Sequence, residues 1–306
     1  MKIVILAGGD SSEREISLKS GKEVFNALKK KGHELFLLDP VEENFCEKIL
    51  KIKPDCVFIA LHGGKGEGGI IQGFLETLNI PYTGSDTLSS AICLNKLISK
   101  KILKFHKIPT PDFIVVDKSF SPEKIPFKYP VVVKPASQGS TIGIKIVEKE
   151  SELYKAIKEA FNYDNEVFIE KYIDGKEVTV SIIGNENPKV MPIIEIITPT
   201  GFYDYKAKYT PGGSIHKIPP DLPENVIKKV EDVAIKAYKA VKCSGFARIE
   251  IIVSKKGTPY ILDINTIPGL TKTSLFPDSA KAAGIPFEEL CEKIINLALE
   301  KWKKKQ

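Results

Sequence analysis

Short apolar runs alternate along the chain with stretches in which apolar residues recur every three or four positions. Residues 2–7 are an apolar run ending in Gly8-Gly9, the way a buried parallel strand enters a strand-to-helix turn. Ile16, Val24 and Leu28 then share one helical face, with Ser11 or Ser12 as N-cap candidates and Gly32 as the stop. The same reading predicts strands at 34–38 and 56–61, helices at 42–52, 69–78 and 86–105, and a brief strand at 82–84. Strand and helix alternating in this way predict an open parallel sheet with right-handed crossovers.

The pattern changes at Ile108-Pro109-Thr110-Pro111. Strands are predicted at 113–116, 130–134 and 144–147, a helix at 151–161, and strands at 166–170 and 177–183. Strands joined without an intervening helix pair antiparallel. A further strand from Val190, a long loop at 199–219, a helix at 223–241, strands at 246–253 and 259–264, and two closing helices complete the chain. The expected class is α/β with α+β lobes, divided as 1–95, 96–180 and 181–306. No internal repeat is visible.

Composition narrows the function. The chain has 306 residues and a formal charge of +6, yet only Arg14 and Arg248 are arginine among its 45 basic residues. Nucleic-acid recognition leans on arginine forks, so the basicity reads as a Lys/Glu-rich surface and nucleic acid is not expected as a partner. Five scattered cysteines with no C-x-x-C pair read as reduced thiols rather than a disulfide or zinc framework. No apolar run is long enough for a membrane span, so a cytoplasmic protein is expected.

Two nucleotide motifs are missing. Gly8-Gly9-Asp10-Ser11-Ser12-Glu13 does not supply G-x-G-x-x-G, and Ser20-Gly21-Lys22-Glu23 fails as a P-loop ending. The informative segment is Val131 to Gly143, where a strand delivers Lys134 into a loop holding Gly139, Ser140 and Thr141. Such a loop can turn backbone N–H groups toward a polyphosphate beside a compact positive charge. An ordinary hairpin with a surface lysine is the plainer alternative. The second segment is Arg248-Ile249-Glu250, followed after a hairpin by Asp263-Ile264-Asn265. Alternation places Arg248 with Glu250, and Asp263 with Asn265, on common strand faces. Two carboxylates and an amide oxygen suit one or two Mg²⁺ ions bridging phosphates; a structural salt bridge to Arg248 is the alternative.

With these residues in place, the chain resembles the ATP-grasp superfamily, and within it the D-alanine–D-alanine ligases. The resemblance rests on Gly8–Ser17, Leu61-His62-Gly63, Tyr82–Ser85, Asn95-Lys96, Glu170–Glu177, Phe202–Tyr209 and Asn265–Leu275, met in collinear order. It implies an ATP-dependent ligation of two D-alanines through an acyl phosphate, for peptidoglycan precursors, by a cytoplasmic homodimer using two Mg²⁺ or Mn²⁺ ions. It implies that Lys96, Lys134 and Lys208 hold ATP phosphates, and that Ser140 lies in the phosphate loop. Glu170, Lys171 and Ile173 would frame adenine and Glu177 the ribose. Glu250, Asp263 and Asn265 would bind metal, and Arg248 with the Gly269 N–H would stabilise an oxyanion. Glu13 would take the first substrate's ammonium with His62 nearby, Ser274 and the Leu275 N–H the second substrate's carboxylate. Tyr209 would latch a lid onto Ser140 and Glu13.

Two departures stand out. The family pattern has Asp before Glu at the metal carboxylates, and here Glu250 precedes Asp263. The segment after His62, Gly63 to Gly69, lacks the usual Glu-Asp-Gly, leaving Glu67 a supporting role. His33 and His106 read as surface residues, and His216 as a solvated residue of the long loop. A related carboxylate–amine ligase, a D-lactate-using depsipeptide ligase and a non-catalytic ATP-binding regulator are the competing readings. Retention of Tyr209 favours an amine as second substrate, and retention of Arg248 and both carboxylates favours an enzyme.

Overall fold

The computed structural model describes residues 1–118, 120, 125–199 and 212–304. Lys208 and Tyr209, and most of the 199–219 loop, lie outside them. The first lobe carries β1 (Lys2–Leu6), α1 (Arg14–Lys29), β2 (Glu34–Leu38), α2 (Phe45–Ile52) and β3 (Cys56–Ile59). A single turn α3 (Gly64–Glu67), α4 (Ile70–Thr77) and α5 (Thr87–Leu94) follow. The strands pair in parallel in the order β2-β1-β3, and the expected strand at 82–84 is reduced to one bridge between Val57 and Tyr82. Ile3 to Leu6 and Val57 to Ile59 are fully buried, which is why these runs carry no polar alternation.

Two boundaries differ from expectation for local reasons. Glu13, not Ser11 or Ser12, occupies the N-cap of α1, because the Ser11 hydroxyl accepts from the Glu13 N–H and donates to the His62 carbonyl. The helix expected over 86–105 is two helices. Asn95 takes extended backbone and its side chain accepts from Ile98 N–H, starting α6 (Lys96–Phe105) at a new angle.

The second lobe is a four-stranded antiparallel sheet, β4-β7-β5-β6, of β4 (Phe113–Val116), β5 (Val131–Pro135), β6 (Lys145–Val147) and β7 (Val167–Lys171). Leu153, Ala156, Ile157 and Ala160 of α7 (Glu150–Ala160) pack against it. The third lobe is built on β8 (Gly175–Ile183), β9 (Lys189–Val190), β10 (Ile194–Ile197) and β11 (Ile215–Lys217). After α8 (Glu224–Ala240), β12 (Phe246–Ser254) and β13 (Pro259–Asn265) complete the sheet in the order β11-β10-β8-β12-β13, with β9 on β8. Because β8 pairs along its whole length with β12, residue 180 lies inside this sheet, and the link between the sheets is 172–174.

The last elements, α9 (Leu275–Ala282) and α10 (Phe287–Lys303), fold back onto the first lobe. Leu290, Ile294, Ile295 and Ala298 share a core with Ile3, Ile5, Val24 and Leu28. Polar contacts line its edge: Lys30 pairs with Glu288 at 2.6 Å, and His33 pairs with Glu292. His33, in the turn between α1 and β2, is therefore a half-buried partner of Glu292 on α10, not the surface residue its sequence position suggested. Trp302 is buried edge-on to Tyr82, with 6.1 Å between ring centroids. Among the described residues no helix is long and apolar enough to cross a membrane.

Candidate active site

A cavity of about 390 Å³ opens where the three lobes meet. Its walls include Glu13, His62, Lys96, Lys134, Ser140, Glu170, Lys171, Ile173, Glu177, Arg248, Glu250, Asp263, Asn265 and Gly269. These came from seven separated stretches of sequence, and the fold gathers them into one space.

The floor is the β12–β13 pair. Antiparallel register puts Arg248 opposite Asn265 and Glu250 opposite Asp263, with an irregularity directly after Glu250. The Arg248 guanidinium donates to Thr179 Oγ1 at 3.1 Å and to Glu250 Oε1 at 2.9 Å. The salt bridge weighed from sequence is thus present, and it leaves the carboxylate set on the same face. Asp263 offers Oδ2 to Lys96 Nζ at 3.5 Å, while its buried Oδ1 has no hydrogen-bond partner among the described residues. Asn265 Oδ1 accepts from the Ile267 N–H at 2.9 Å and keeps a second lone pair. Among the described residues no three His, Cys, Asp or Glu side chains gather as a metal cluster. A pair of carboxylates, one of them with an unsatisfied oxygen, and one amide oxygen still suit Mg²⁺, which takes few protein ligands and completes its shell with water and phosphate oxygens.

The small sheet forms the roof. Lys134 at the end of β5 reaches Glu170 Oε1 on β7 at 2.8 Å, and Lys100 of α6 reaches the other oxygen at 2.5 Å. Burial disfavours the Glu170 carboxylate, but the two ammonium groups outweigh it and lower its pKa. Burial likewise opposes the Lys96 ammonium, yet Asp263, Glu250 and Glu67 raise its pKa. Lys96 also donates to the Gln138 carbonyl at 2.8 Å, tying it to the glycine-serine loop. In that loop Ser140 and Thr141 both hold positive φ, +50° and +65°, a strain tolerated at ligand sites.

The front wall belongs to the first lobe. Ser140 Oγ donates to Glu13 Oε1, a contact across 127 residues of chain. A Cβ at Gly139 would lie 2.4 Å from Glu13 Oε2, so a larger residue there would push this carboxylate from its place. His62 is buried, and burial lowers its pKa, so the ring stays neutral. Its Nδ1 lies 3.1 Å from the Ile267 carbonyl, which can only accept; Nδ1 therefore carries the proton and Nε2 accepts from Ser20 at 3.0 Å.

Ser274 and Leu275 do not line the cavity itself. Ser274 precedes α9 and accepts from the Thr271 N–H at 3.0 Å, and a Cβ on Gly269 would meet Ser274 Oγ at 2.8 Å. Leu275 is buried against Ile194 and Ile196. His216, expected to be solvated, has Nδ1 2.6 Å from Asp278 of α9 and so ties β11 to that helix.

Sequence reasoning overlooked Lys100, whose helical spacing of four from Lys96 was its only signal; Glu67, given a supporting role, lines the cavity. Glu67 accepts from the Gly63 N–H at 3.0 Å, and burial, with the Glu13 charge adding to it, raises its pKa to about 8. Such a group binds a proton in the folded chain that it has released when unfolded, so between its ordinary pKa and about 8 rising pH costs stability. Glu67→Gln should remove that loss, giving a melting-temperature advantage over wild type that grows from pH 5 to pH 8.5. The gain at pH 8.5 should be roughly 1–3 kcal/mol, the scale of a buried polar group relieved of charge. A constant difference between the two melting curves across that range would contradict it.

An open parallel lobe followed by two antiparallel sheets that close over a cleft of lysines and carboxylates defines an ATP-grasp fold. Residues 102–296 match the family description D-ala D-ala ligase C-terminus, and residues 39–85 match D-ala D-ala ligase N-terminus. The D-alanine–D-alanine ligase of Carboxydothermus hydrogenoformans is 49% identical over 98% of this chain and 99% of its own. That of Pelotomaculum thermopropionicum is 48% identical over 98% and 97%. The crystal structure of the Bacillus anthracis D-alanine–D-alanine ligase complexed with ATP superposes with a TM-score of 0.87 at 38% identity, covering 100% of both chains. The chain belongs to the D-alanine–D-alanine ligase family.

Proposed function

We propose that the chain condenses two D-alanines with ATP to give D-alanyl-D-alanine, ADP and phosphate through an acyl phosphate. The observation that carries this is the meeting, in one cavity, of Lys96 and Lys134 with Arg248, Glu250, Asp263 and the Glu13–Ser140 clasp. Free carboxylate and amine do not condense usefully in water, so the carboxylate must first be activated. Lys96 and Lys134, with Lys208 from the sequence, take the phosphates; Glu170, Lys171 and Ile173 frame adenine; Glu177 takes the ribose. Bound Mg²⁺ or Mn²⁺ on Glu250, Asp263 and Asn265 would neutralise phosphate charge.

Glu13 holds the first D-alanine's ammonium, orienting its carboxylate toward the γ-phosphate, with neutral His62 packed alongside. The second D-alanine's amine attacks the acyl phosphate, and its carboxylate reaches past Gly269, at the cavity's edge, to Ser274 and the Leu275 N–H at the start of α9. Arg248 and the Gly269 N–H stabilise the oxyanion of the tetrahedral intermediate, a charge that exists only near the transition state. Closure by the 199–219 loop with Tyr209 keeps water from the acyl phosphate.

The product is a peptidoglycan precursor, and the need for ATP together with four buried thiols favours the cytoplasm. Exposed Ile70 and Leu88 on α4 and α5 support a homodimer built on the first lobe. Phosphate release measured with D-alanine, L-alanine and D-lactate tests the reading. Turnover should depend on D-alanine, and the dipeptide should appear by mass spectrometry; turnover with L-alanine alone would overturn it.

A further inference from the structure

We infer that Lys100 is a positioning residue for ATP binding, keeping the charge of Lys134 available to phosphate by satisfying Glu170. The inference rests on the ATP reading above.

Lys100 is 1% exposed, an unusual place for an ammonium group that no ligand role requires. Its Nζ lies 2.5 Å from Glu170 Oε2 and donates to Thr110 Oγ1 at 2.7 Å. The second Glu170 oxygen takes Lys134 at 2.8 Å. Two ammonium groups thus flank one carboxylate, and the cluster keeps a single net positive charge at the roof of the cavity. Were Lys100 absent, Glu170 would cancel Lys134, and the phosphate would meet a neutral pair. The arrangement is costly: burial, with Lys134 nearby, pushes the Lys100 ammonium down to about 8 against the pull of Glu170. A charge retained at such a cost answers another charge.

The same side chain also joins the two sheets that close on the nucleotide. Thr110 Oγ1 donates to the Ile261 carbonyl at 2.8 Å, and the Ile261 N–H donates to the Pro109 carbonyl at 2.9 Å. Ile261 lies on β13, two residues before Asp263. The path from Lys134 through Glu170, Lys100 and Thr110 therefore runs from the small sheet to the strand bearing Asp263. Helix α6, which carries Lys100, packs Leu97 against Phe168 of the small sheet and Leu103 in the core of the large one.

The charge argument separates this role from simple packing. Lys100→Met should raise the KM for ATP about 10- to 100-fold, the loss expected for one charge-assisted contact. The KM for D-alanine and kcat should move by no more than about threefold, because neither substrate amino acid meets this cluster. Glu170→Gln removes the carboxylate that Lys100 answers, so adding Lys100→Met to Glu170→Gln should change the ATP KM by no more than about threefold. Lys100→Gln supplies the same single-variant readout if methionine does not fold. If neither folds, the double variant decides alone: an ATP KM within about threefold of that of Glu170→Gln supports the role, and a larger rise overturns it. An unchanged ATP KM in a folded single variant, or a loss on adding Lys100→Met to Glu170→Gln as large as the loss in wild type, also overturns it. Wild-type protein that does not turn over ATP would instead remove the functional reading, and this inference with it.

Discussion

Arg248→Met is expected to lower kcat for dipeptide formation about 10²- to 10³-fold, the cost of losing an oxyanion donor from a site that excludes water. The guanidinium is held in place before any substrate arrives, by Thr179 Oγ1 on β8 and Glu250 on its own strand. Prepaid orientation of this kind makes a donor effective in the transition state, since no reorganisation is needed as charge develops. Because the oxyanion forms only in the second half-reaction, the KM for ATP should change little while kcat collapses. Arg248→Lys retains the charge but not the planar fork, and it should recover only part of the loss. Steady-state kinetics on variants with wild-type melting temperatures checks this. A kcat within about threefold of wild type for folded Arg248→Met would remove arginine from the reaction centre.

The reversed carboxylates make the second large prediction. Glu250→Ala should lower turnover by more than about 100-fold, beyond the 10- to 100-fold typical of residues that merely support metal ligands. Glu250 faces Asp263 directly across the β12–β13 pair, so a longer arm on one strand meets a shorter arm on the other. Glu250→Asp alone should widen that gap and impair activity. Glu250→Asp/Asp263→Glu moves the long arm to the opposite strand, recreates the family's order and should recover part of the loss. Side chains that share a ligand are non-additive in this way. Titration of activity with Mg²⁺ adds a second readout, since a misplaced ligand should shift the concentration needed for half-maximal rate. Strictly additive losses would mean that the two carboxylates do not act on common ions.

Individual site residues show why only part of this was legible beforehand. Lys134 stood out because a strand end, a lysine and a glycine-serine loop are neighbours in sequence. Arg248 and Glu250 stood out because period-two alternation puts them on one face, and the hairpin fixes which strand lies opposite. Lys100 did not, because a lysine on a helix is ordinary until its partner is known, and Glu170 is contributed by a strand far along the chain. His33 and His216 read as surface residues because their partners, Glu292 and Asp278, lie on the closing helices. The long helix expected over 86–105 failed at Asn95, where a side-chain cap competes locally with continuation, a choice that apolar periodicity does not report.

By itself the sequence determined the element types, the change from parallel to antiparallel pairing near Ile108, and the kinship carried by its ordered motifs. Those depend on contacts between near neighbours: side-chain period, turn glycines, and hydroxyl or amide caps. Tertiary structure alone decided that β8 belongs wholly to the large sheet and that α10 closes the first lobe. It also decided that Ser140 meets Glu13 across 127 residues, and that His62 lies within reach of the Ile267 carbonyl across 205. Such pairs are set by sheet register and lobe packing, which sum many weak apolar contacts over the whole chain. The charge states of Lys96, Lys100 and Glu67 follow from the same closure, because burial and the charges it brings near exist only once the lobes meet.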